Sequence, residues 1–394
     1  MNPLARHYSR FRVAERVLLT GHSHQAWPDV GFEAQQRAWL DAAELVDDKW
    51  PTAAERAWEV RRGFARLLGV EADNIALGQN THELVTRWLS ALPLDRRGRI
   101  VTTDAEFHSL RRQLDRLAED GRLQIVRLPA RPVETLAARL AAAVDDRTAC
   151  VAVSSVRFET AEIVPALDAV AAACSRVGAE LLVDAYHHLN VVPFDLHAMG
   201  LAEAFVTGGG YKYCQLGEGN AFLRVPPHRR MRPVLTGWFG EFAHLEERPT
   251  GRVPYGAGAA AFAGATYDPT SHYRGAAVFA FHAEQQLTPA RLREISRHQV
   301  ARLIAGIEAL DPDTRLLSIE PMPPERRAGF LALRTPRASD IARALRARDV
   351  WTDARGDILR LGPAPYLDDR QLDDGVAALR EVVRAVASPS SAAD

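Results

Sequence analysis

Lysine is almost missing from this chain: there are two in 394 residues, against forty-seven arginines. Cysteine is nearly as scarce. Cys150, Cys174 and Cys214 form an odd set without CxxC spacing, which excludes a disulfide framework and gives no zinc-ligand pattern. Long apolar runs are missing too. CVAVSSV and ELLVDAY are far shorter than the span a membrane helix needs, and the first residues, MNPLARHYSRFRVAER, hold no apolar stretch of the signal-peptide kind. A net charge of −1 argues against a nucleic-acid or other polyanion partner. These absences leave the expectation of a cytoplasmic globular protein with reduced thiols, and 47% hydrophobic with 25% charged residues is the composition such a protein needs.

The scarcity of lysine makes its two survivors informative. Lys49 lies in the charged stretch DDKW beside Asp47 and Asp48, where it reads as a solvated charge. Lys212 lies in GGGYKYC, just beyond an apolar run that has no use for a cation. Arginine supplies charge and bidentate contacts but is effectively never deprotonated, whereas a lysine amine can lose its proton and attack a carbonyl. Lys212 is therefore a candidate for imine chemistry.

Along the chain, short apolar runs alternate with amphipathic stretches, the pattern of an α/β fold with a mostly parallel sheet flanked by helices. Candidate strands are NIALGQ, RIVTTDA, QIVRLP, CVAVSSV, ELLVDAY and AEAFVTG, and ETLAARLAAAVDD and VPALDAVAAACSRVG are candidate crossover helices. From about residue 270 the texture changes to a long helical stretch followed by short β-like runs at FLALRT and ILRLG, which predicts a smaller α+β domain. The expected division is a segment 1–45 packing with the small domain, a large domain 46–268, a small domain 269–385 and a disordered polar tail 386–394.

Ligands of open α/β sheets gather at the carboxyl ends of the strands. After NIALGQ come Asn80 and Thr81 at a helix start, a site for a phosphate or simply an N-cap. After RIVTTDA come Glu106 and Phe107, the latter an aromatic face. After CVAVSSV, Ser154 and Ser155 offer hydroxyls or form a turn. ELLV ends in Asp184, with His187 and His188 close by. A carboxylate closing an apolar strand is costly without a cationic partner. The two histidines do not make a metal site, because no third ligand is placed. An imine-forming lysine, a carboxylate able to keep a pyridine nitrogen protonated, an aromatic face and a helix-terminal phosphate site are together the parts that pyridoxal 5'-phosphate requires.

With these residues in place, the chain resembles the class V, fold type I pyridoxal-phosphate enzymes, and kynureninases among them. The resemblance covers most of the chain. It is carried by D-x-x-H at Asp184 to His187, Y-K-Y at Tyr211 to Tyr213, GWFG at Gly237 to Gly240, R-x-G-x-x-P at Arg360 to Pro365, and the strand VAVSSVRFETAEI. It implies that Lys212 forms the covalent link to the cofactor, that Asp184 pairs with the ring nitrogen, and that His187 supports that edge. It also implies that Tyr211 and Trp238 reach the phosphate together with Asn80 and Thr81, that Phe107 stacks on the ring and that Ser154 contacts the cofactor. Thr266 would reach the phosphate from a neighbouring subunit, so a homodimer is implied, and Arg360 would clamp the substrate α-carboxylate.

The substrate end departs from the family pattern. A GNSLG-like segment is replaced by Gly21-His22-Ser23-His24-Gln25, the place of an aspartate is taken by Leu110, and Glu241 stands where a histidine follows GWFG. His22, His24, Trp27 and Tyr267 are candidates for a rewritten substrate pocket. The implied activity is hydrolysis of the Cβ–Cγ bond of kynurenine or a related amino acid, with Tyr211 moving protons. The alternatives are another class V activity (aminotransferase, lyase or epimerase) and a non-catalytic binding protein. A cysteine-desulfurase role is disfavoured, because Cys214 is held too close to Lys212 and the loop around ERRAG has no thiol.

Overall fold

In a computed structural model the described residues are 2–246 and 251–387. Strand β1 (Val17–Leu18) and helices α1 (Asp29–Leu45) and α2 (Trp50–Leu68) lead into the large sheet. Its elements follow in order: β2 (Ile75–Gly78), α3 (Thr81–Ser90), β3 (Arg99–Thr103), α4 (His108–Glu119), β4 (Gln124–Leu128), α5 (Leu136–Ala142), β5 (Thr148–Ser154), α6 (Leu167–Val177), β6 (Glu180–Asp184), β7 (Phe205–Gly209) and β8 (Ala221–Arg224). The sheet order is β2-β8-β7-β6-β5-β3-β4, with the run from β7 to β4 parallel and β8 antiparallel to both of its neighbours.

Every residue of β5 is buried, and its side chains divide by parity between the two faces. Val151 and Val153 enter one core with α2, α5 and α6, while Cys150 and Ala152 enter another with α3 and α4. Strands buried on both faces need no polar alternation, which is why these runs read as continuously apolar.

The rest of the chain consists of α7 (Thr270–Glu284), α8 (Pro289–Glu308), β9 (Ser318–Ile319), β10 (Leu331–Arg334), α9 (Ala338–Arg346), β11 (Val350–Trp351), β12 (Asp353–Arg355), β13 (Ile358–Leu361) and α10 (Asp369–Ala387). A four-stranded antiparallel sheet, β12-β13-β10-β9, organises this part. Its core contains Leu331, Leu333, Leu359 and Leu361 together with Leu4, Tyr8 and Leu19 from the N-terminal segment, and β1 pairs with β11 in parallel. Residue 269, where the sequence texture changes, precedes a helix that serves both cores: α7 gives Val278 and Phe279 to the large sheet and Phe281 to the small one. Of the tail, 386 and 387 belong to α10, and 388–394 lie outside the described residues.

Phe64 of α2 is fully buried, with ring centroids 4.6 Å from Phe222 and 5.3 Å from Phe279, and so ties α2 and α7 to β8. Removing so large a buried ring leaves a cavity that its neighbours fill only in part. Phe64→Ala should lower unfolding free energy by about 3–5 kcal/mol, read as a reduced denaturation midpoint at unchanged slope.

Candidate functional site

The polar residues that end the parallel strands meet at one cavity. It has a volume of about 250 Å³ and is lined by Asn80, Thr81, Phe107, Ser154, Asp184, His187, Tyr211 and Lys212, among others. Each arrives by the same route. β2 ends at Gly78, and Asn80 caps α3, its side chain accepting from the Glu83 N–H at 3.0 Å. The free N–H groups of α3 and the Thr81 side chain thus face the cavity, a helix terminus suited to an anion. β7 ends in Gly208-Gly209, Gly210 follows, and the chain then turns to present Tyr211 and Lys212. A side chain at 209 would meet the Tyr186 hydroxyl at 2.5 Å, so glycine is what lets the two segments close over the site.

Lys212 is buried, and its Nζ lies 2.8 Å from His187 Nε2. Three rings surround the amine, with centroids at 4.5 Å (Tyr186), 5.4 Å (Phe107) and 5.6 Å (Tyr211). Burial lowers its pKa to about 7; Asp184 opposes the shift, and Arg360 and Arg355 add to it. The same burial, and then the lysine charge, hold His187 well below the ordinary histidine range. His187 is therefore a neutral ring, and its Nδ1 is buried without a hydrogen-bond partner. His188 turns the other way: it packs edge-on against Phe194 at 4.7 Å and contacts the Ser155 hydroxyl at 3.2 Å.

Asp184 accepts the Tyr186 N–H at 2.9 Å and makes no ion pair among the described residues. Burial raises its pKa, against the pull of that N–H and of Lys212. A buried carboxylate lacking a cation fits a ligand that brings one, such as a protonated pyridine nitrogen. The low-pKa amine, the helix terminus and the aromatic wall fit the rest of pyridoxal 5'-phosphate.

Not every expected residue lines this cavity. Arg360 is buried behind Phe158, donating to the Phe158 carbonyl at 2.6 Å and pairing with Asp353 at 2.5 Å. His22 is wholly buried against Phe330, with ring centroids 4.6 Å apart. His24 stands by the cavity mouth, 3.6 Å from Glu218 and with its ring 6.4 Å from Tyr211. Trp238 and Thr266 are exposed and hydrogen-bonded to each other at 3.1 Å, away from the cavity lining of their own chain. Trp27 packs under Arg274, and Tyr267 bonds His272; neither lines the cavity.

Three residues at the site were given no role by the sequence: Tyr186, Phe158 and Glu106, the last noted only as following a strand. Tyr186 and Phe158 line the cavity. Glu106 lies behind it, fully buried, accepting from the hydroxyls of Thr103 at 2.7 Å and Ser154 at 2.6 Å. Burial raises its pKa to about 7 despite those bonds. The signal for Glu106 was the same one used for Asp184, an acid closing an apolar strand region.

The comparisons with known proteins agree with this geometry. Residues 292–379 match the family model of the kynureninase C-terminal domain. Isopenicillin N epimerase of Streptomyces clavuligerus is 28% identical over 359 residues, covering 84% of this chain and 86% of that protein. Over most of its length the chain is similar to class V pyridoxal-phosphate enzymes. The uncharacterized aminotransferase YcbU of Bacillus subtilis is 24% identical over 337 residues, 83% of this chain and 84% of that one. In fold it matches fold type I: the C-DES structure with glycine linked to its PLP cofactor aligns with a TM-score of 0.82 at 17% identity, covering 96% of this chain and 99% of that one. The apo cysteine desulfurase of Thermococcus onnurineus aligns with a TM-score of 0.81 at 16% identity, covering 98% and 99%.

An amine held near pKa 7 is a nucleophile at neutral pH. Trace acetylation of cofactor-free protein across pH 5–10, read at Lys212 by peptide mass spectrometry, should give a midpoint near 7. In Asp184→Asn, which removes the one nearby group that raises the lysine pKa most, the midpoint should move lower.

Proposed function

We propose that this class V enzyme acts at the Cα of an amino acid, with Lys212 as the proton-transfer base. The observation that carries the reading is the Lys212 amine, buried in the cavity between three aromatic rings and hydrogen-bonded to a neutral histidine. Pyridoxal 5'-phosphate, when bound, supplies an electron-withdrawing ring that acidifies the substrate Cα–H. Asn80 and Thr81 hold its phosphate, Phe107 covers its ring, Asp184 keeps its nitrogen protonated, and His187 and Ser154 support its edge. Arg360 receives the substrate α-carboxylate as a bidentate fork. Lys212, with a pKa near neutrality, takes the Cα proton and holds it for return.

The side-chain outcome we favour is hydrolysis of the Cβ–Cγ bond of a kynurenine-like substrate, giving alanine and an aromatic acid, with Tyr211 directing water to the γ-carbonyl. The kynureninase C-terminal match and the aromatic lining of Phe107, Phe158, Tyr186 and Tyr211 support it. Inversion at Cα is the second reading, favoured by the likeness to isopenicillin N epimerase. A desulfurase role has little support, since all three cysteines are buried and none lines the cavity. The exposed pair Trp238 and Thr266, beside exposed Val234, Leu235 and Phe242, supports a homodimer in which these residues serve the neighbouring copy's phosphate. No helix among the described residues is long and apolar enough to cross a membrane.

Incubation with L-kynurenine and 3-hydroxykynurenine should release alanine and a fluorescent anthranilate. Lys212→Ala should abolish the release. Tyr211→Phe should slow it by about 10²–10⁴-fold while leaving Cα–H exchange in D2O intact. Exchange with loss of optical purity and no cleavage would instead establish the epimerase reading.

A further inference from the structure

Arg360 is already engaged. β12 and β13 pair in antiparallel register with Asp353 opposite Arg360, and this places the Asp353 carboxylate against the guanidinium at 2.5 Å. The other terminal nitrogen donates to the Phe158 carbonyl. An arginine so occupied cannot present a bidentate fork to a second carboxylate until one of these bonds is given up.

A second partner for the displaced carboxylate lies close by. His22 Nε2 lies 3.9 Å from the same Asp353 carboxylate, too far for a hydrogen bond, and both His22 ring nitrogens are buried without partners. A wholly buried imidazole with neither nitrogen satisfied is costly, so the arrangement is poised rather than complete. The ring cannot easily turn away. It lies against Phe330 at 4.6 Å, and any side chain at Gly362 would meet its Nδ1 at 2.3 Å. On the solvent side, Arg355 holds its Nε 3.7 Å from the second Asp353 oxygen. Burial and the nearby arginines keep His22 neutral, which leaves it one N–H to donate.

We propose that Asp353 is a specificity-determining latch: it occupies Arg360 in the free protein and moves to His22 when a substrate α-carboxylate takes the arginine. His22 is then a positioning residue, donating its N–H to the displaced Asp353 carboxylate, and not a substrate contact. The latch sets the affinity for carboxylates by making each one compete with an internal carboxylate, and it keeps the guanidinium compensated while the site is empty. The proposal rests on Arg360 being the α-carboxylate clamp.

L-alanine titrated into the holoenzyme, followed by the change in cofactor absorbance, tests it with five variants whose retained cofactor absorbance confirms folding. Arg360→Ala should weaken binding more than tenfold. Asp353→Asn, with Asp353→Ser as a second version, should tighten it three- to tenfold. His22→Phe should weaken it several-fold alone and have no effect in the Asp353→Asn background. Weakened binding in Arg360→Ala without tightening in either Asp353 variant would overturn the latch and leave the clamp standing. An equal alanine response in Arg360→Ala and the unaltered enzyme, including none in either, would overturn the clamp and the latch with it.

Discussion

An ammonium group and a carboxylate buried in one small cavity are expensive to keep, and most of the architecture serves to keep them. Lys212 and Asp184 both lose water on folding, and burial moves each toward its neutral form: the amine down to about 7, the carboxyl upward. They interact but form no ion pair, because Lys212 turns to His187 and Asp184 to the Tyr186 N–H. The cost is sustained by a parallel sheet buried on both faces, which fixes the strand ends that carry both groups. A cationic ring with an aldehyde relieves both at once, and this complementarity is the physical content of the cofactor assignment.

Around that pair lie the less regular parts of the site. Glu106 is a second acid, buried and held by Thr103 and Ser154, so that the hydroxyl facing the cavity is oriented from behind. Arg360 and Asp353 sit on the small sheet, and Arg360 is tied to the cavity-lining Phe158 through its carbonyl. The cavity lining therefore belongs mostly to the large sheet, and the proposed substrate clamp lies where the small sheet meets it.

The sequence made the large sheet legible because its strands are buried on both faces and read as apolar runs punctuated by one functional residue each. Asn80, Phe107, Ser154, Asp184 and Lys212 were found by that punctuation, and all five line one cavity. β8 was missed: it returns within eleven residues of β7 as NAFLRV, too soon after the lysine turn to stand out as a separate element. Tyr186 was missed because its place depends on the turn that follows β6. Asp353 could not be found at all from the sequence, since its pairing with Arg360 depends on the register of two short strands. His22 was read as a candidate substrate-pocket residue, but it is wholly buried against Phe330 and does not line the cavity.

The covalent attachment of the cofactor to one amine is the claim on which the rest stands, and the scarcity of lysine makes it simple to test. Borohydride reduction of the holoprotein followed by proteolysis and mass spectrometry should place a reduced pyridoxyl-phosphate group on the peptide containing Lys212 and leave the Lys49 peptide unmodified. A protein that carries the cofactor yet shows the adduct on Lys49, or on neither lysine, would contradict the account.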